Sequence, residues 1–140
     1  MMTLEQLVHD VEARLGRLLW RPDPLAELEE EAERVAKELQ DRREALARCD
    51  AARVAIKRRL LDNQAAAALL PSQIEACVRN GQTAPAWRLA LDLDRLRKSI
   101  LEDQAALPRQ EQACWSLRFK VRQLERRLLE LHKKLYLARR

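Results

Sequence analysis

Residues 79–85 read Arg-Asn-Gly-Gln-Thr-Ala-Pro, "RNGQTAP". Gly81 is one of only two glycines in a chain of 140 residues. Asn-Gly is a turn signal, and a glycine just past a helix supplies its left-handed cap. Pro85 then opens the next helix, where its missing amide costs nothing. A turn this short leaves no chain to return in parallel, so the segments flanking Asn80, Gly81 and Pro85 run antiparallel.

Both flanks carry a seam. Upstream, alternate steps of three and four from Leu25 pass through Leu28, Ala32, Val35, Leu39, Leu46, Cys49, Ile56, Leu60, Ala67, Leu70 and Ile74 to Cys77. Only Arg42, Arg53 and Asn63 interrupt the apolar series. Downstream the count runs from Leu89 through Leu93, Leu96, Ile100, Leu107, Cys114, Leu117, Val121, Leu124, Leu128, Leu131 and Leu135 to Ala138, interrupted by Asp103 and Gln110. A 3.5-residue period held this long without a phase slip is a coiled-coil seam.

The upstream boundary is equally marked, at Arg21-Pro22-Asp23-Pro24. Asp23 is a favoured N-cap and Pro24 a favoured first helical residue. Glu27, Glu29, Glu30 and Glu31 follow, where the helix dipole favours acids. The expected fold is all-α: a short N-terminal helix and Pro-bounded linker over 1–22, then a helical hairpin over 23–140. Arm one spans about 24–79, the turn about 80–85 and arm two about 86–140, each arm roughly 80 Å long at ~1.5 Å per residue. Pro71 and Pro108 fall inside the arms, where each forfeits a hydrogen bond and kinks or briefly breaks its helix.

The leading segment is amphipathic. Leu4, Leu7, Val8, Val11, Leu15, Leu18 and Leu19 recur at helical spacing, and Trp20 closes the stripe. Such a face either folds back onto the body of the protein or lies in a membrane surface. Three acids and three bases through Arg21 cancel, so attraction to anionic lipid would rest on the apolar face.

With the turn near residue 82, Asn63 is expected opposite Asp103, and Arg53 near Gln110 and Glu111, as polar groups that fix register. Cys49 and Cys114 are expected to face each other as small apolar packing, without a disulfide. Residues 23–33 carry six acids and no base, whereas the end of arm two is rich in base: Arg118, Lys120, Arg122, Arg126, Arg127, Lys133 and Lys134. The hairpin pairs part of that charge internally and leaves a basic surface for acidic subunits or anionic headgroups.

Composition narrows the function. The chain is 47% hydrophobic, 35% charged and carries a net charge of +5, which is mild for a nucleic-acid binder. With no groove-reading module, no nucleic acid is expected as partner. Three cysteines without metal-like spacing fit a reducing cytoplasm. His9 and His132 lack a partnered metal ligand, the glycines stand alone, and Ser72, Ser99 and Ser116 have no nucleophile context. The reading is of no enzyme, no cofactor and no metal.

The order of elements and three stretches resemble the phage shock protein A family, which includes the plastid vesicle-inducing protein and belongs to the ESCRT-III superfamily. Asp23-Pro24 matches the "DP" that opens the family's first long helix. Residues 73–91, "QIEACVRNGQTAPAWRLAL", look like its hairpin tip through Ala76, Val78, Gly81, Ala86, Arg88, Ala90 and Leu91, with a one-residue insertion. Residues 124–140 are similar through Leu124, Glu125, Arg127, Leu128 and Glu130. The family's acidic pair at the tip is replaced by Ala84-Pro85. Members also continue into further helices that link neighbouring subunits, beyond the position of Arg140.

The resemblance implies a bacterial, cytoplasmic protein, peripheral on the inner face of the plasma membrane. Such a protein binds lipid through its leading helix, self-assembles, and maintains or remodels the bilayer in the membrane stress response. Some members also bind an AAA+ transcription activator through the hairpin. The competing expectation is a soluble coiled-coil regulatory adaptor for an AAA+ activator or a secretion ATPase, which has no use for a lipid-facing leading helix.

Overall fold

The computed structural model describes residues 3–19 and 23–140, with side chains for 3–16 and 23–140. Among these residues there are three α-helices and no strand: α1 (Leu4–Leu19), α2 (Pro24–Arg79) and α3 (Thr83–Ala138). The two long helices pack against each other as a hairpin.

Each helix end has a local cause. Asp23 caps α2, its Oδ1 accepting from the Leu25 amide at 3.1 Å. Its backbone oxygen accepts from the Glu27 amide at 3.0 Å. At the other end the Gln82 amide donates to the Cys77 carbonyl and the Gly81 amide to Val78, while Gly81 sits at φ 71°. This six-to-one and five-to-two pair is the Schellman motif, which needs the left-handed residue that glycine supplies without strain.

The turn is shorter than its sequence suggests. The Ala86 amide already donates to the Gln82 carbonyl at 3.1 Å, so α3 begins at Thr83 rather than near residue 86. Pro85 is the third residue of the helix. Amides of the first turn have no intrahelical acceptor, so a proline is tolerated there as well as at the first position. Pro71 and Pro108 lie inside α2 and α3 and break neither helix.

The chain divides into two compact units. The larger, Leu39–Gln123, holds the bend, the adjoining lengths of α2 and α3, and a core of Leu39, Cys49, Ala86, Leu93, Cys114 and Val121. Cys114 is fully buried, with its Sγ 2.8 Å from that of Cys49. Lettering the heptads with Arg53 and Cys114 at position a places Asp50, Lys57, Glu111 and Arg118 all at e. Arg118 pairs with Asp50 at 2.8 Å and Lys57 with Glu111 at 3.8 Å, so these pairs mark one flank of the hairpin.

The smaller unit joins residues 1–38 to Leu124–Arg140. Its core is Ala32, Val35, Leu124, Leu131 and Leu135. Arg127 pairs with Glu31, and Arg139 with Glu29 at 3.1 Å. In both units burial of a leucine contributes about 1.5–3 kcal/mol, against about 0–1 kcal/mol for an exposed ion pair, so the seams hold the helices together and the charges set alignment.

Candidate functional site

α1 starts with a reciprocal cap. The Gln6 amide donates to Thr3 Oγ1 at 3.3 Å, and the Thr3 amide donates to Gln6 Oε1 at 3.2 Å. This capping box satisfies two orphan amides at the start of a 16-residue helix. Arg14 and Asp10, one turn apart at 3.3 Å, add an exposed pair on the polar side.

The opposite side is uncovered. Leu4 is 82% exposed, and Leu7, Val8, Val11 and Leu15 are 47–52% exposed. Within its unit the described part of the apolar stripe of α1 is therefore left uncovered. Leu18 and Leu19 are helical, but their side chains, together with Trp20, lie outside the described residues. Soluble proteins seldom leave a contiguous apolar face in water without a partner for it. Among the described residues no helix is long and apolar enough to cross a membrane, so a lipid partner would be met at the surface.

The basic positions separate into paired and exposed ones. In the larger unit Arg118 is held by Asp50, Lys120 is half-buried and Arg122 is exposed. In the smaller unit Arg127 is held by Glu31, whereas Arg126, Lys133 and Lys134 stand exposed. Internal pairing thus draws Arg118 and Arg127 away from the surface expected of these bases.

Two of the polar seam residues take other partners than expected. Asn63 donates to Ser99 Oγ at 3.1 Å and does not meet Asp103. Asp103 is instead buried and bidentate to Arg59, Nε to Oδ2 at 2.8 Å and Nη2 to Oδ1 at 2.7 Å. The Arg59 hydrogen bonds hold the Asp103 carboxyl below the usual carboxylate range, against the opposing effect of burial, and Arg59 is raised in turn. Arg53 sits between Cys49, which bonds Gln110, and Lys57, which pairs with Glu111, as its expected place in the register requires. It lies 3.7 Å from Asp50 on its own helix, and its buried Nε has no hydrogen-bond partner among the described residues. Gln110 donates to the Cys49 carbonyl at 3.0 Å.

Cys49 and Cys114 face each other as expected, as free thiols. Burial pushes the Cys114 thiol up to about 11, with Cys49 and Asp50 adding to the shift. Among the described residues no group of three or more His, Cys, Asp or Glu side chains is placed to hold a metal ion. Arg59 and Ser99 carry register contacts that sequence counting missed, because both sit beside the seam positions and reach in. The Thr3-x-x-Gln6 box was also missed, although its signature stands in the sequence.

No protein-family model matches the chain, and a search of curated proteins finds no match to it.

Proposed function

We propose that the chain is a non-catalytic, ESCRT-III-like scaffold that binds a membrane surface through α1, self-associates through its helical hairpin, and maintains or remodels the bilayer. The observation that carries this reading is the uncovered apolar stripe of a capped α1. A helix with five large apolar side chains in water and charges on its other side has the form of an interfacial helix. The exposed Arg126, Lys133 and Lys134 add an attraction for anionic headgroups, each worth about 1 kcal/mol near such a surface. The resemblance to the phage shock protein A family supports the same assignment through Asp23-Pro24, the Gly81 tip and the run from Leu124 to Glu130. It adds membrane stress as the setting and the cytoplasmic face of the bacterial inner membrane as the place.

The test is co-sedimentation of the chain with vesicles of anionic lipid, alongside vesicles of neutral lipid. The chain is expected to pellet with the anionic vesicles and less with the neutral ones. A chain that stays in the supernatant with both removes the membrane reading and leaves a regulatory adaptor.

A further inference from the structure

α3 carries a second heptad series, one residue out of phase with its seam. At steps of seven it runs Trp87, Asp94, Leu101, Pro108, Trp115, Arg122, at position b of the lettering above. All six belong to the larger unit and all are exposed. Leu101 and Trp115 are exposed to 65% and 60%, and Phe119 stacks on Trp115 with ring centroids 5.9 Å apart. Val54 and Leu61 of α2 occupy the same heptad position and are also exposed. The Arg118–Asp50 and Lys57–Glu111 pairs join e to e, so the b positions of both helices lie on that same flank. The hairpin thus has an apolar flank outside its own interface.

The spacing and the charges identify what covers it. A series that steps by seven stays straight only along a supercoiled helix, so its complement is a helix wound at the same pitch. A second copy of this hairpin meets that condition by construction. The two charged members of the series are opposite in sign and equally far from Pro108 along α3. Pairing two copies antiparallel about a two-fold axis at Pro108 sets Asp94 of each against Arg122 of the other, and Leu101 of each against Trp115 of the other. Such an isologous interface makes every contact twice. Asp94 also lies 3.0 Å from Lys98 one turn along, an exposed pair that a second cation can share.

We propose that this flank is a homodimer interface, with Leu101, Trp115, Val54 and Leu61 at its centre and the Asp94–Arg122 pairs at its two ends. It deepens the self-association in the proposed function, rests on that part of the reading alone, and needs no lipid.

The experiment is sedimentation equilibrium of the whole chain in lipid-free reducing buffer, with helicity checked by circular dichroism. The chain is expected to dimerise with concentration, and Leu101→Glu/Trp115→Glu to be monomeric. Asp94→Arg and Arg122→Asp, each at an exposed position, are expected to weaken dimerisation about tenfold, because both symmetry-related contacts become repulsive. Mixing the two single variants restores association, since every contact then joins opposite charges. Leu7→Glu/Leu15→Glu is expected to leave the dimer intact. A chain that stays monomeric, a dimer indifferent to Leu101→Glu/Trp115→Glu, or a mixture no tighter than its components overturns the interface. So does loss of the dimer in the α1 variant, which would place the contact on α1. Failure of lipid binding with this dimer intact would sink the membrane reading alone.

Discussion

Replacing Leu7 and Leu15 together by glutamate tests the surface on which the functional reading depends. Both side chains are about half exposed, at 52% and 50%, so water still covers apolar area that lipid would remove. Full burial of a leucine is worth about 1.5–3 kcal/mol, so the uncovered half of each contributes about 1 kcal/mol on transfer to the interface. The double variant forfeits about 2 kcal/mol of apolar transfer. Its two new carboxylates then face anionic headgroups at about 1 kcal/mol each. The total of about 4 kcal/mol corresponds to a fall on the order of a thousandfold in partitioning. Titration of anionic vesicles with co-sedimentation measures it, and circular dichroism verifies that the hairpin is intact. Glu5→Gln/Glu12→Gln, which removes acids from the helix, is expected to bind at least as tightly as the parent chain. If Leu7→Glu/Leu15→Glu binds within about a factor of three of the parent, the stripe is not the contact and the reasoning fails.

Four further outcomes are expected. Gly81→Ala places a side chain at φ 71° with nothing within 4 Å, so its cost is conformational, about 1–2 kcal/mol in a urea melt. Gly16→Ala, also without a neighbour within 4 Å, relieves a helix penalty of about 1 kcal/mol and is expected to tighten lipid binding rather than weaken it. Because Arg59 lowers the Asp103 carboxyl, the pair stabilises the fold above the ordinary carboxylate pKa, and that support is lost as pH falls through the lowered value. Carbon-detected NMR titration should find Asp103 ionising below the ordinary aspartate value, and Arg59→Gln should abolish the difference. Cys114 is expected to resist a disulfide reagent at pH 8, being buried and protonated up to about 11, while the half-buried Cys77 reacts first. Equal rates at the two thiols would show that the seam opens freely.

The parts of the fold legible in the sequence were those with one dominant physical cause. Asp23-Pro24 and Asn80-Gly81 are backbone demands that few residues meet, and α2 begins and ends beside them. The seams were legible because burial repeats the same requirement every three or four residues. Pro85 was misread because a proline suits any of the first helical positions, and the sequence alone does not choose among them. The Asn63–Asp103 pairing failed for a related reason. Counting places α-carbons opposite one another, but Arg59 reaches across from beside the seam to take Asp103, and Asn63 is left to Ser99. The Trp87–Arg122 series went unread because it runs one residue behind a stronger pattern of the same period. The exposure of α1 was beyond sequence reading altogether, since an amphipathic stripe looks the same covered or bare.

The brevity of the bend has a kinetic consequence. Asn63 and Ser99 are 36 residues apart in sequence, Arg59 and Asp103 44, Cys49 and Cys114 65, and Glu29 and Arg139 110. Loop closure costs less entropy for nearer partners, so association starts beside Gly81 and zips outward, each contact shortening the loop left for the next. Glu29 and Arg139 close last. During synthesis α2 emerges ahead of α3, and its unsheltered seam must wait for its partner. Amide exchange should run the same sequence in reverse, slowest near the bend and fastest at the open end.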